Sequence, residues 1–440
     1  MSEILLRGRT LSFLRWPDNI GDHAAYAYEE DGGLLLRDGK IAAAGAFTNV
    51  ERKALAGAKR IDHRPHLLLP GFIDAHVHFP QMQVIASYGA ELLDWLNKYT
   101  FPEETKFLNA QHGRRIARLF LDEMVRHGTT SVAAYCSVHK QSAQAFFAEA
   151  QDRDMLVIAG KVMMDRNAPE GVLDTAQSGY EDSKALIAEW HGKGRQLYAV
   201  TPRFAMTSSP EQLEMAGALM REFPDLHMQT HLSENHAEIA FTQELYPWSR
   251  DYTDVYGHYG LLGKRALFGH CIHLSEREAD ALSDSDSVAV FCPTSNLFLG
   301  SGLFDYQRYR TREKPLRIAA ATDVGGGTNY SMLRTMDEGY KVIALNGEKL
   351  NPLASFWQIT RGNAEALSIA GNVGTLDVGT DADIVVLDSN ATPAMRLRME
   401  TIETLAEELF LLQTLGDDRA VAEVYVAGKP AKSTLMTADS

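Results

Sequence analysis

Cysteine is scarce in this chain: three residues, Cys136, Cys271 and Cys292, lie far apart in 440. They are too few and too scattered for a disulfide framework, which excludes the small stapled secreted scaffolds and suits a reducing cytosol. No apolar run is long enough to span a bilayer, and the segment from Met1 to Arg9 has no signal-peptide core. A cytoplasmic protein is therefore expected. Positive charge is in deficit as well: 43 Lys and Arg face 58 Asp and Glu, a net charge of −15. That balance argues against nucleic acid or an anionic membrane surface as partner and leaves a small neutral substrate open. Repeats, low-complexity segments and long linkers are missing. With 45% hydrophobic and 23% charged residues, the composition is that of an ordinary globular protein.

What is present is an alternation of strand and helix patterns framed by two β-rich ends. Ile4–Gly8, Gly33–Ile41 and Lys59–Asp62 read as strands bounded by Gly or Asp-Gly, and the pattern returns at Gly374–Leu376, Ala382–Leu387 and Val421–Gly428. The two ends together predict one small β-sandwich domain, residues 1–66 with 373–440, around a central domain of residues 67–372. In that centre an opening strand at Leu67–His78 is followed by apolar runs at 128–135, 155–163, 197–201, 227–231, 266–270, 288–292 and 317–322. Helical periodicity fills the gaps at 114–127, 143–152, 183–191 and 210–222. Near-continuous apolar strands with helical crossovers imply a parallel sheet, and eight of them suggest a closed (β/α)8 TIM-type barrel, with an open doubly wound sheet as the alternative. The barrel is preferred because polar residues gather at the C-terminal ends of many different strands.

The opening strand ends in His76-Val77-His78. Residues i and i+2 of a strand share a face, so both imidazoles converge, and neutral imidazole is a common ligand for zinc-like metals. The other strand ends carry Arg203 and Phe204, then His231 with Glu234, then His270, then Asp323. In a barrel these ends face one mouth. Three imidazoles and a carboxylate, with no thiolate, can hold one divalent cation and favour Zn²⁺, Fe²⁺ or Mn²⁺.

This set resembles the amidohydrolase superfamily in its mononuclear metal-dependent deaminase branch. The resemblance rests on Gly71-Phe72-Ile73-Asp74-Ala75-His76-Val77-His78-Phe79-Pro80-Gln81, on Leu93 to Glu103, on Thr201-Pro202-Arg203-Phe204, on Thr230 to Asn235, and on Ala321 to Gly327. It implies that His76, His78, His231 and Asp323 bind one Zn²⁺ per chain (Fe²⁺ being the other option), with His270 close to the bound water. It further implies a homodimer and the hydrolytic deamination of guanine to xanthine and ammonia. Glu234, three residues past His231, is then the candidate proton shuttle, and Asp323 would orient the nucleophile. Phe204 offers a π-face to a purine, Arg203 and Gln81 offer donors to a ring carbonyl and an acceptor nitrogen, and Trp95 and Tyr99 either close the mouth or pack as a helix face. The same chemistry on a cytosine, S-adenosylhomocysteine-type or triazine amine, and a catalytically inactive metal-binding scaffold, are the other readings.

Two look-alikes carry less weight. His236-Ala237-Glu238 has the His-x-Glu form of another zinc deaminase class, but no Pro-Cys-x-x-Cys partner exists in the chain. Lys161, in an apolar strand, could bridge two metals if carbamylated; a buried lysine paired with an acid is the expectation preferred here. Gly325-Gly326-Gly327 is not followed by the Lys-Ser or Lys-Thr of a phosphate loop. A helix is expected within 400–415.

Overall fold

The structure, a computed structural model, describes residues 3–88 and 92–438. The terminal segments build a separate seven-stranded sheet, ordered Lys429–Pro430, Val421–Val426, Ile384–Leu387, Lys59–Pro70, Glu3–Phe13, Tyr26–Arg37, Lys40–Ala46. Asp38 and Gly39, with φ of 51° and 80°, make the two-residue turn of its last hairpin. Two consecutive positive φ angles match the right-handed twist of the flanking strands, which is why Asp-Gly stands there. The two ends of the chain meet where Leu67–Pro70 pairs antiparallel with Ile384–Leu387. Leu6, Leu34, Leu36, Ile41, Leu68, Ile384, Val386 and Tyr425 share one apolar cluster on this sheet.

The boundary expected between residues 66 and 67 therefore runs through a strand: Lys59–Pro70 belongs to the terminal sheet, and the barrel starts at Phe72. The run Leu67 to His78 is two strands divided at Gly71. A Cβ on Gly71 would sit 2.2 Å from Thr130 Oγ1, so only glycine fits where the chain passes from one sheet to the other.

The barrel strands are β1 Phe72–His78, β2 Thr129–Tyr135, β3 Leu156–Gly160, β4 Gln196–Pro202, β5 His227–Leu232, β6 Ala266–His270, β7 Val288–Phe291 and β8 Arg317–Ala320. Neighbours pair in sequence order and in parallel from β1 to β8. β1, β2, β3, β5, β6 and β7 are buried along their whole length, as strands covered on both faces must be. The ring closes just beyond β8, where the Asp323 amide donates to the His76 carbonyl at 2.9 Å and the Thr322 amide and hydroxyl donate to the Asp74 carboxylate at 3.1 and 2.5 Å. Closure and site thus share residues. Helices Ala110–Arg126, Lys140–Asp152, Ala176–Trp190 and Pro210–Glu222 cover the outside at the positions that periodicity predicts. No helix among the described residues is long and apolar enough to cross a membrane.

The helix expected within 400–415 is Leu405–Leu415, started by a reciprocal Thr404–Glu407 cap. It packs on Met332–Leu345, with the Gln413 amide donating to the Met336 carbonyl at 2.9 Å, and its Glu408 pairs with Arg9 of the first strand. This helix thereby ties the terminal sheet to the barrel wall.

Candidate active site

β1 delivers His76 and His78 to the barrel mouth with their Nε2 atoms 3.1 Å apart. From β5, His231 brings its Nε2 to 3.2 Å from that of His78, and Asp323, past β8, places Oδ1 3.4 Å from both His76 and His78. All four side chains are buried. The His76 ring lies against Gly269 of β6, where a Cβ would come within 2.7 Å of its Cε1. A carbonyl can only accept, so the 2.7 Å contact between His231 Nδ1 and the Arg203 carbonyl puts the proton on Nδ1 and turns the Nε2 lone pair to the common centre. Burial, then the charges of neighbouring imidazoles and Arg203, hold His78 and His231 well below the usual histidine range; burial also lowers His76 against the pull of Asp323. Neutral imidazoles with Nε2 atoms 3.1–3.2 Å apart around one point are suited to share a divalent cation.

The second group surrounds this centre. Glu234, just past β5, stands with Oε2 3.4 Å from His270 Nε2 and accepts from the Ser301 hydroxyl at 3.1 Å on Oε1. His270 Nε2 is 3.8 Å from Asp323 Oδ2, and its Nδ1 is 2.8 Å from Asn296 Oδ1. Burial and the negative charge of Asp323 push the Glu234 carboxyl up to about 8. Burial opposes ionisation of Asp323 too, but hydrogen bonding to His76 and the charges of His76 and His270 outweigh it and keep Asp323 below the usual carboxylate range. Two carboxyls driven apart in this way can divide the work of acid and base between them. Ser233, His270, Cys271 and Asp323 all have left-handed φ, between 50° and 70°, at the ends of β5, β6 and β8. Such backbone costs roughly 1 kcal/mol or more per non-glycine residue and is kept where side-chain aim matters more.

Gln81, Trp95, Arg203 and Phe204 line the same small cavity, together with Leu92, Leu96, Leu299 and Gly326. Phe204 stacks on His231 with ring centroids 4.3 Å apart and an 18° interplanar angle. Arg203 is buried and paired with Glu104 at 2.6 and 2.8 Å, and Gln81 donates to Glu104 at 3.1 Å. Trp95 is buried at the cavity wall, and its indole N–H has no partner among the described residues. Tyr99 is half-buried and lines no part of it. The cavity is about 20 Å³, room for one water.

The family model for the amidohydrolase family matches residues 67–431. The chain belongs to the amidohydrolase family. Among relatives of this family member, the guanine deaminase of Escherichia coli (strain K12) is 44% identical over 425 residues, 96% of each chain. The probable guanine deaminase of Deinococcus radiodurans is 39% identical over 405 residues, 90% of this chain and 92% of that protein. Of solved structures, guanine deaminase from Bradyrhizobium japonicum superposes with a TM-score of 0.94 at 37% identity, covering 98% of this chain and 99% of that one. The enzyme from C. acetobutylicum, which has guanine bound in its active site, superposes at 0.86 with 29% identity, covering 98% and 100%.

In this amidohydrolase, four site residues escape sequence reasoning. Glu104, Asn296 and Ser301 come from loops and short helices, and Tyr135, at the end of β2, lays its ring 4.6 and 4.5 Å from those of His76 and His78. Tyr135 had a usable signal, being the polar-tipped end of an apolar strand; the other three had none. Lys161 forms a buried pair with Asp174 at 2.5 Å and belongs to neither group of side chains that could hold a metal ion.

Proposed function

We propose that this site hydrolyses guanine to xanthine and ammonia, with His76, His78, His231 and Asp323 holding one divalent cation. The observation that carries the reading is the convergence of His76, His78, His231, His270, Asp323 and Glu234 at one buried point, in a chain 44% identical to a guanine deaminase. Hard and borderline N and O ligands without thiolate favour Zn²⁺, with Fe²⁺ the alternative. A cation there would lower the pKa of water from 15.7 to about 7 and so supply the nucleophile.

The protein's own groups do the rest. Water's oxygen bonds to the amine-bearing ring carbon, and the amine departs only when protonated. Glu234, neutral at pH 7, delivers a proton to that nitrogen and takes one from the attacking water, so the proton count balances. Asp323 stays ionised and accepts hydrogen bonds from the nucleophile. His270, its Nδ1 fixed by Asn296, presents Nε2 to the same space. Phe204 covers one face of the base, and Arg203, Gln81 and Trp95 supply donors at its edge. A homodimer, in keeping with the family resemblance, and a cytoplasmic location, in keeping with three buried free cysteines, complete the reading. Ammonia release measured on guanine, adenine, adenosine and cytosine tests the substrate. Turnover of guanine at least about 10²-fold above the others supports it; turnover confined to cytosine or adenosine refutes it.

A further inference from the structure

Glu104 is buried, touches none of the proposed metal ligands, and stands on the short helix Phe101–Thr105. Both of its oxygens accept from Arg203 Nη1, at 2.8 and 2.6 Å, and Oε1 also accepts from Gln81 Nε2 at 3.1 Å. One carboxylate thus holds both polar side chains that face the base. The consequence for Gln81 is specific. A carboxylate accepts only, so the Gln81 NH₂ must turn toward Glu104, and its Oε1 turns to the Gly325 amide, 3.3 Å away. The amide cannot flip, and what it has left for the cavity is an N–H.

Arg203 is fixed in the same way. Its guanidinium carbon lies 5.6 Å from the ring centroid of Phe101, one turn before Glu104, and its Nε is buried with no partner among the described residues. A buried unpaired donor on a residue that lines the cavity is available to a ligand acceptor. The segment that brings Trp95, Phe101 and Glu104 to the site runs through a π-helical turn at Leu96–Thr100. Its extra residue per turn resets the face presented, a feature common at functional sites.

We infer that Glu104 is the positioning residue for substrate specificity: it locks Gln81 and Arg203 as donors, so the site reads a ring carbonyl. The inference rests on the guanine reading for the identity of the base, but not for the polarity of the lock. Without the carboxylate, Gln81 can turn its oxygen to the cavity and Arg203 can swing, and a ring carbonyl loses its advantage over a bare ring edge.

The test uses Glu104→Gln and, because an unpaired buried Arg203 can unfold the first variant, Glu104→Asp, which keeps the charge but withdraws it by one methylene. Metal content and thermal midpoint are recorded for each. Hypoxanthine and purine, which lack the reacting amine and differ by the ring carbonyl, serve as binding probes. The expected result is that hypoxanthine affinity falls about tenfold or more while purine affinity stays within about threefold. On guanine, KM should rise by a similar factor with kcat changed less than about threefold. Equal losses for both probes, no loss for hypoxanthine, or a kcat that falls as far as kcat/KM overturns the inference. A wild-type protein that binds hypoxanthine over purine through Glu104 yet releases no ammonia from guanine refutes the proposed reaction and leaves the lock standing.

Discussion

Replacing Glu234 by Gln removes a transferable proton and little else. The amide keeps the volume, and its oxygen can still accept from Ser301, now 3.1 Å from Oε1. Glu234 is outside the four proposed ligands, so metal content should not change. General acid–base catalysis by a positioned side chain contributes about 10²–10⁴-fold, and at about 1.4 kcal/mol per tenfold that is a barrier increase of roughly 3–5.5 kcal/mol. The wild-type pH profile gives an independent check. With its carboxyl near 8, Glu234 is about ten parts protonated to one ionised at pH 7, and the ratio inverts by pH 9. The protonated form delivers the proton, so the rate should fall about tenfold per unit above pH 8 and Glu234→Gln should lack that fall. Steady-state ammonia release between pH 6 and 10, with metal analysis of each preparation, measures both. A kcat within about tenfold of wild type, or an alkaline limb that survives in the variant, removes Glu234 from the mechanism.

Other outcomes follow from the same contacts. Ser301→Ala deletes the hydroxyl that stabilises ionised Glu234, so the alkaline limb should move to higher pH; a shift to lower pH contradicts the assignment. Arg203→Ala should raise KM for guanine by about tenfold or more with a smaller change in kcat, and an unchanged KM would make Arg203 purely structural. Glu238 is pushed up to about 7 by burial and by Glu234, so in the folded protein it binds its proton more tightly than in the unfolded chain. The stability this confers is complete below pH 4.5 and lost as pH rises through 7, by about 3 kcal/mol at most. Glu238→Gln should therefore melt progressively above wild type from pH 5 to pH 8; parallel melting curves across that range would refute it.

The cluster that could hold a metal was legible because its elements announce themselves locally. His76-x-His78 ends an apolar strand, and His231, His270 and Asp323 each stand at or just beyond the end of another. Alternation within a strand and a shared mouth are enough to bring them together. The partition of Leu67 to His78 into two strands was not legible, because residues on both sides of Gly71 are fully buried and apolar, and periodicity carries no boundary there. Glu104 was hidden for a different reason. It meets Arg203 across 99 positions of sequence, and its neighbour Glu103, buried as well, pairs with Lys106 and stands near His112. No local pattern distinguishes the two glutamates. Arg203, read from sequence as facing the substrate, does line the cavity, but its charge is spent on Glu104.

In the proposed mechanism, imidazoles from β1 and β5 and the carboxylate beyond β8 share one cation that the reaction requires. This requirement is tested most directly by stripping the protein with a chelator and adding Zn²⁺ back in fractions of an equivalent while following ammonia release from guanine. Activity should be abolished by stripping and should return linearly to a sharp break at one Zn²⁺ per chain, with no recovery in His231→Ala. Full turnover in stripped protein, or a break at two per chain, would contradict the account.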